Sequence, residues 1–377
     1  MDNQGIAKRI REAREHQALS QQELAELMGW KSHSSVAAIE NGEQNIKMWE
    51  LLKLAAILKV SPEFFYSEAP QVLTEHPTIL WRKKAIDSKV ALREEHNLIQ
   101  HYQNYRFVER LVNAPSLPIK ILPQISCDID SATVDWANQQ AEKIHREFHL
   151  GDYPAALLIK RIEEEYGVLV ISCPLEEGSA ACYREESGSV IMLNEKEVRW
   201  RQTFNLAHEL FHLISWSPSL IAQIQSNENL FQKNEKLADA FAAALLMPQQ
   251  MLDLDVRGNK LTYSFIVALA GKYQVSKQAM LIRLRYLKFI SSESVDRALA
   301  DPEFLQLDHD EFEQAFASIT PLGNRFVRLA YLAYENGRIS KARLAQILNV
   351  KLRDLSQYLA EKGLCFTNDK EIETLAC

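Results

Sequence analysis

The chain has 377 residues, 47% hydrophobic and 25% charged, which is ordinary for a globular protein and too long for one small domain. Its formal net charge of −7 excludes a protein that coats nucleic acid through bulk positive charge, although one small module could still bind DNA. The five cysteines are scattered and form no C-x-x-C pair, which argues against a disulfide framework or a cysteine-built zinc site and for a reducing, cytoplasmic setting. The polar start Met1-Asp2-Asn3-Gln4 does not read as a signal peptide, and no apolar run approaches the length of a membrane span.

Residues 1–68 read as a five-helix unit. Ile6, Ile10 and Ala13 mark one face of the first helix. Ser20-Gln21-Gln22-Glu23 is a capping box opening the second, whose apolar face is Leu24, Ala25, Leu27 and Met28 and whose end is Gly29. Val36 and Ile39 face inward on a third helix that begins among Lys31-Ser32-His33-Ser34-Ser35. Leu51, Leu54, Ala55 and Leu58 make a further helix, and Phe64-Phe65 closes the unit.

Two short helices about a glycine-containing turn suggest a helix-turn-helix. Ser20-Gln21-Gln22-Glu23-Leu24-Ala25, Gly29, Ile39-Glu40-Asn41-Gly42 and Leu51-Leu52-Lys53-Leu54-Ala55 together resemble the XRE (Cro/repressor-like) DNA-binding domain. The resemblance implies that Lys31, Ser32, His33, Ser34 and Ser35 open a recognition helix in the major groove of a double-stranded operator. It places Gln21, Gln22, Asn41 and Lys47 near phosphates. Eight basic against ten acidic residues leave this unit at −2, so a packing module without DNA binding stays open beside that expectation.

Residues 69–130 read as a helical linker. Pro70 and Pro77 flank a connector ending in Trp81-Arg82-Lys83-Lys84, a helix runs from about Leu92 to Val112, and Pro115, Pro118 and Pro123 break it. Residues 131–290 form the next unit. Helices are expected near Val134 to Glu147 and Pro154 to Tyr166, the latter ended by Gly167. Val168 to Ile171, Ala180 to Arg184 and Val190 to Leu193 then read as a small antiparallel sheet with a turn at Glu185-Glu186-Ser187-Gly188. Arg199 to Ile214 is one long helix.

That helix carries His208-Glu209-Leu210-Phe211-His212. Histidines four apart point from one helix face, and two neutral imidazoles make two thirds of a catalytic zinc site. Glu209 is placed to take a proton from an activated water. After His212 only His309 remains, so a third histidine ligand is not expected. The helix from Asn234 to Met247 offers Glu235, with Asp239 one turn on to orient a ligand histidine through its other ring nitrogen. Glu235 also fits a solvated glutamate paired with Lys233 or Lys236.

Phe204-Asn205-Leu206-Ala207-His208-Glu209-Leu210-Phe211-His212, followed by Glu235, Ala238-Asp239, Phe241-Ala242 and Leu245-Leu246-Met247-Pro248, resembles the ImmA/IrrE family of metallo-endopeptidase domains. Gly167-Val168, Ile191-Met192-Leu193-Asn194, Tyr273-Gln274-Val275-Ser276 and Arg283-Leu284 extend the likeness over roughly residues 135–290. It implies a zincin-like α+β domain binding one Zn2+ through His208, His212 and Glu235, with Glu209 as catalytic base and Asp239 behind the ligands. This chain has Phe211 where the family commonly has Gly, and Asp239 where it commonly has Asn. Tyr183 and His145 are candidate donors to an oxyanion.

Residues 291–377 read as a C-terminal helical region. Residues 261–289 suggest two helices with Val275-Ser276 at the turn, and Gly337 to Val350 resembles the opening of another such unit, with basic Arg338, Lys341, Arg343, Lys351 and Arg353. DNA, a partner, a second subunit or plain packing all remain open for it. The expected fold is thus mainly α with a small β-sheet. The expected function is a cytoplasmic, DNA-binding transcriptional regulator whose zinc-dependent endopeptidase domain cleaves a repressor or similar protein. Modules of this type often pair as homodimers on two half-sites. The alternative is an antitoxin or repressor whose zinc domain senses or binds a partner without cutting it.

Overall fold

The computed structural model describes residues 3–16, 19–30, 32–58, 60, 65, 80–81, 88–112, 120–176, 178–185, 188–307 and 322–366. The chain divides into two compact units, Met1–Pro77 and Thr78–Cys377.

The first unit contains α1 (Asn3–His16), α2 (Gln21–Met28), α3 (His33–Glu40) and α4 (Met48–Leu58). A fifth helix would fall among residues 61–64 and 66–68, outside the described residues. The Ser20 hydroxyl accepts from the Glu23 amide and the Glu23 carboxylate accepts from the Ser20 amide, so the capping box forms in full. Gly29 ends α2 at φ 74°, a conformation that a Cβ would oppose. Ile10, Leu24, Val36, Ile39, Leu51, Leu54 and Leu58 close around Phe65. Beside this core the fully buried Glu40 carboxylate accepts from Arg14 Nε at 2.5 Å and Nη2 at 3.1 Å.

The second unit opens with β1 (Leu80–Trp81) and α5 (Ser88–Val112), then α6 (Val134–Glu147) and α7 (Ala155–Glu164). The strands β2 (Leu169–Cys173), β3 (Ala180–Glu185) and β4 (Gly188–Asn194) complete a four-stranded sheet ordered β1-β3-β4-β2. The β3–β4 hairpin is antiparallel, with Cys182 opposite Ile191, and β1 pairs antiparallel with β3. The expected all-antiparallel sheet is corrected at one edge, because β2 runs parallel to β4, with Val170 opposite Ile191. A parallel strand covered on both faces reads as a continuous apolar run, and Leu169-Val170-Ile171 is buried throughout.

The two-residue period sends alternate side chains to opposite faces. Val170, Ala180, Cys182, Ile191 and Leu193 join the core beneath α8 (Arg199–Ser215). Leu169, Ile171, Ala181, Tyr183, Val190 and Met192 join a second core on the other face, with Leu98, Tyr102 and Tyr105 of α5. Beyond α8 come α9 (Pro218–Ser226), α10 (Glu228–Leu246), α11 (Gln249–Val256), α12 (Tyr263–Tyr273), α13 (Lys277–Tyr286), α14 (Ser292–Ala300) and α15 (Pro302–Gln306). Then α16 (Asn324–Glu335), α17 (Lys341–Ile347) and α18 (Leu355–Glu361) supply Phe326, Leu344, Leu355 and Leu359 to the second core. Leu322 bridges to Ile171 at the sheet edge, and Gly323 turns the chain into α16 at φ 43°. A Cβ on Gly323 would stand 2.2 Å from a carboxylate oxygen of the buried Glu163 and 2.8 Å from the Val170 carbonyl. No helix among the described residues is long and apolar enough to cross a membrane.

Candidate metal centre

The centre is built where α8 and α10 pack side by side. Small Ala207, Ala238 and Ala242, all wholly buried, line this packing together with Leu237 and Leu245. Phe211 is buried too. Its ring meets Trp136 of α6 edge-on at 6.2 Å, Phe241 of α10 at 5.5 Å, and the His212 imidazole at 5.7 Å. The Phe211 ring of α8 therefore wedges against both α6 and α10. Both ends of α8 are tied to the sheet side. Near its start, Asn205 Nδ2 donates to Glu197 Oε2 at 2.6 Å and Gln202 Nε2 donates to the Asn194 carbonyl at 3.1 Å. At its end, Arg184 of β3 donates to the otherwise orphaned Leu213 carbonyl at 2.6 Å.

His208 and His212 turn their Nε2 atoms toward one point, 3.0 Å apart, with ring planes inclined by 73°. Glu235 of α10 reaches the same point, Oε2 3.3 Å from His208 Nε2 and Oε1 3.2 Å from His212 Nε2. One ligand atom from each of the three lies within 4.8 Å of the others. Glu235 is thus held against the histidines, not paired to Lys233, whose ammonium donates to the Asp130 carbonyl at 2.8 Å. The outer nitrogens are also engaged. His208 Nδ1 lies 2.8 Å from Asp239 Oδ1, and His212 Nδ1 lies 3.2 Å from Asn234 Nδ2.

Two imidazole nitrogens and a carboxylate converging on one buried point are the donor set of a divalent-cation site. Burial pushes the Glu235 carboxyl upward, but hydrogen bonds and charge from His208 and His212 outweigh it and hold the group at about 2. Glu209 is wholly buried, and the only polar group the structure sets against its oxygens, among the described residues, is the weak donor thiol of Cys182. Burial raises its pKa, while His212, His208 and the Cys182 thiol against it oppose the rise. A buried carboxylate beside three convergent ligands fits a site completed by a metal and its water.

Cys182 and Asn234 were not singled out in the sequence. Cys182 is reachable by counting β3 in twos; Asn234, adjacent to Glu235, carries no signal of its own. The same counting corrects Tyr183, which lies on the opposite sheet face, its ring 5.7 Å from Tyr102. His145, at the end of α6, is bound to the Gly151 carbonyl at 2.8 Å. Neither is brought to the centre.

Of the DNA-facing candidates, Ser32 caps α3 by accepting from the Ser34 amide at 3.2 Å, and His33 and Ser34 are exposed. Ser35 is half-buried. Gln22 and Lys47 are exposed, with Gln22 donating to Glu26. Gln21 donates to Glu40 at 2.9 Å and Asn41 accepts from Arg11 at 2.8 Å. Lys31 lies outside the described residues.

Fold and site together define a helix-turn-helix unit joined to a metallopeptidase-like domain with a two-histidine, one-carboxylate centre. Residues 10–65 match the family model described as Helix-turn-helix, and residues 163–285 match that of the IrrE N-terminal-like domain. The chain is therefore a fusion of an XRE-type helix-turn-helix with an IrrE/ImmA-like domain, a family of typically metal-dependent peptidases. No curated protein matches it.

Proposed function

We propose that this protein is a DNA-binding transcriptional regulator whose IrrE-like domain is a zinc endopeptidase acting on a regulatory protein partner. The division of labour is residues 1–68 for DNA, 69–130 as linker, 131–290 for hydrolysis and 291–377 as a helical region. The observation that carries the reading is the convergence of His208, His212 and Glu235, with the buried carboxylate of Glu209 beside them.

Two imidazoles and one carboxylate are the ligand set of hydrolytic zinc sites, which leave a further position open. A zinc ion held there would supply Lewis acidity and an activated water. Glu209, beside those ligands, would take a proton from the attacking water and return it to the leaving amine. Asp239 accepts from His208 Nδ1, which fixes the ring and leaves Nε2 as the ligand. In the other unit, Ser32, His33, Ser34 and Ser35 at the start of α3 are assigned to the operator's major groove.

Incubation with the proteins encoded beside it, read by intact mass, tests the peptidase. The wild type is expected to cut one of them, and Glu209→Gln to lose at least about 100-fold in rate while keeping its metal. A wild type that holds metal and operator yet cuts nothing would make the domain a binding and sensing module instead, as in an antitoxin.

A further inference from the structure

One local pattern recurs among the described residues: besides Leu332-Ala333, whose Gly337 at φ 66° leads into α17, it marks three further helix pairs. Leu24-Ala25, Leu269-Ala270 and Leu344-Ala345 are each followed, four residues after the alanine, by a residue in the left-handed region: Gly29 at φ 74°, Gln274 at 56° and Asn349 at 53°. In each case the next amide reaches back to the alanine carbonyl. Trp30 N donates to Ala25 O at 2.8 Å, Val275 N to Ala270 O at 3.0 Å and Val350 N to Ala345 O at 2.9 Å, the long bond of a Schellman ending. Ten residues past the left-handed residue stand Ile39, Leu284 and Leu359, all buried. Each copy is a helix, a tight turn and a second helix anchored at matching places.

The first and third copies also begin alike. Ser20 and Ser340 lie four residues before their leucines, and each hydroxyl accepts from the amide three residues on at 3.2 Å, Glu23 in one and Arg343 in the other. So α17–α18 repeat the frame of α2–α3, the helix-turn-helix of the N-terminal unit.

What each copy does with its second helix separates them. In α12–α13 the polar groups are spent inside the protein. Lys277 is buried, its ammonium donating to the carbonyls of Phe304 and Leu305 at 2.9 Å, and buried Arg283 donates to the Met247 carbonyl at 3.1 Å. In α18, Leu355 and Leu359 face the core while Ser356, Gln357 and Ala360 are exposed. Charge favours the third copy as well. Residues 337–363 carry six basic and two acidic residues, a net of +4 in a chain of −7, and Arg338, Lys341, Lys351 and Arg353 are exposed. The N-terminal copy, in its net-acidic unit, has no such surplus.

We propose that α17–α18 form a second duplex-DNA-binding surface, with the exposed face of α18 in the major groove and Arg338, Lys341, Lys351 and Arg353 on flanking phosphates. B-form DNA is the fitting partner because its major groove admits a helix and that of A-form RNA does not. Basic side chains around a helix-turn-helix supply the salt-dependent part of such affinity.

The test is fluorescence anisotropy of a labelled 30-base-pair duplex with the full chain across a salt series. Replacing Arg338, Lys341, Lys351 and Arg353 together by Ala is expected to weaken binding at least tenfold and make the slope of log Kobs against log[salt] shallower by about 2 to 4. Ser356→Glu with Gln357→Glu, which adds repulsion on α18 alone, is expected to weaken binding in the same direction. The control removes equal charge elsewhere, at exposed Arg146, Lys160, Arg257 and Lys260, and is expected to leave the slope in place. Ser34→Glu with Ser35→Glu probes the N-terminal copy, so loss there and loss here are read separately. An unchanged slope in the fourfold Ala variant, an equal fall in the control, or an equal effect on duplex RNA would each overturn the proposal.

Discussion

The side-chain amide of Asn234 lies 3.2 Å from Nδ1 of His212, and the oxygen of that same amide is buried with no partner. A neutral imidazole that binds a metal through Nε2 carries its proton on Nδ1 and needs an acceptor there. Asp239 is that acceptor for His208. Turned by half a turn, the Asn234 side-chain amide would present its oxygen as the acceptor for His212 Nδ1. Asn234→Leu is accordingly expected to weaken metal binding by about 10–100-fold, and Asn234→Asp to retain it. Competition with a chromophoric chelator measures this; equal affinity in the Leu variant would contradict the assignment.

Phe211 is the wedge between α6, α8 and α10, in contact with Trp136 and Phe241. Truncating a wholly buried aromatic leaves a cavity, so Phe211→Ala is expected to destabilise the larger unit by about 3–5 kcal/mol. Thermal unfolding followed by near-ultraviolet circular dichroism reports it. A change below roughly 1 kcal/mol would place the ring outside the packing of these helices.

Glu163 gives the larger unit a pH dependence. Burial, then the charge of Glu164, raise its carboxyl from 4.5 to about 8, against hydrogen bonds from the Asn324 and Val170 amides and the charge of Arg328. The folded state therefore holds this proton more tightly than the unfolded chain. Its contribution is complete below pH 4.5 and is lost as pH rises toward 8, at up to about 1.4 kcal/mol per unit. Glu163→Gln is expected to match the wild type in stability near pH 4.5 and exceed it above pH 8. Parallel urea midpoints across this range for the two proteins would contradict the account.

Glu40 and Arg14 form a buried pair in the N-terminal unit, with Gln21 donating to the same carboxylate. Removing one partner strands the other, so Glu40→Ala is expected to cost about 3–5 kcal/mol and to lower duplex affinity by loosening α3 against α1. Unfolding and anisotropy read the two effects. Full operator affinity in a destabilised Glu40→Ala protein would separate the pair from DNA binding.

Local rules made much of this legible in the sequence. Ser20 and Glu23 capped α2, Gly29 ended it, and the spacing of His208, Glu209 and His212 put the two histidines on one helix face. Glu235 could be offered as the third ligand from its place on the following helix, but a solvated pairing with Lys233 or Lys236 stayed open beside it, since its distance to the histidines depends on how α8 and α10 pack. The parallel pairing of β2 with β4 was hidden because an apolar run buried on both faces does not declare its direction. Cys182 and Asn234 were missed for a related reason: what makes them matter is the neighbour that folding brings, Glu209 for one and His212 for the other.

One metal held by His208, His212 and Glu235 is the centre of the proposed function. Elemental analysis of the purified full chain, its Glu209→Gln variant and a His208→Ala, His212→Ala double variant tests this most directly. One zinc per chain is expected in the first two and its loss in the third, with a lower melting temperature there because the folded state no longer gains the binding energy. Unchanged metal content in the double variant would contradict it.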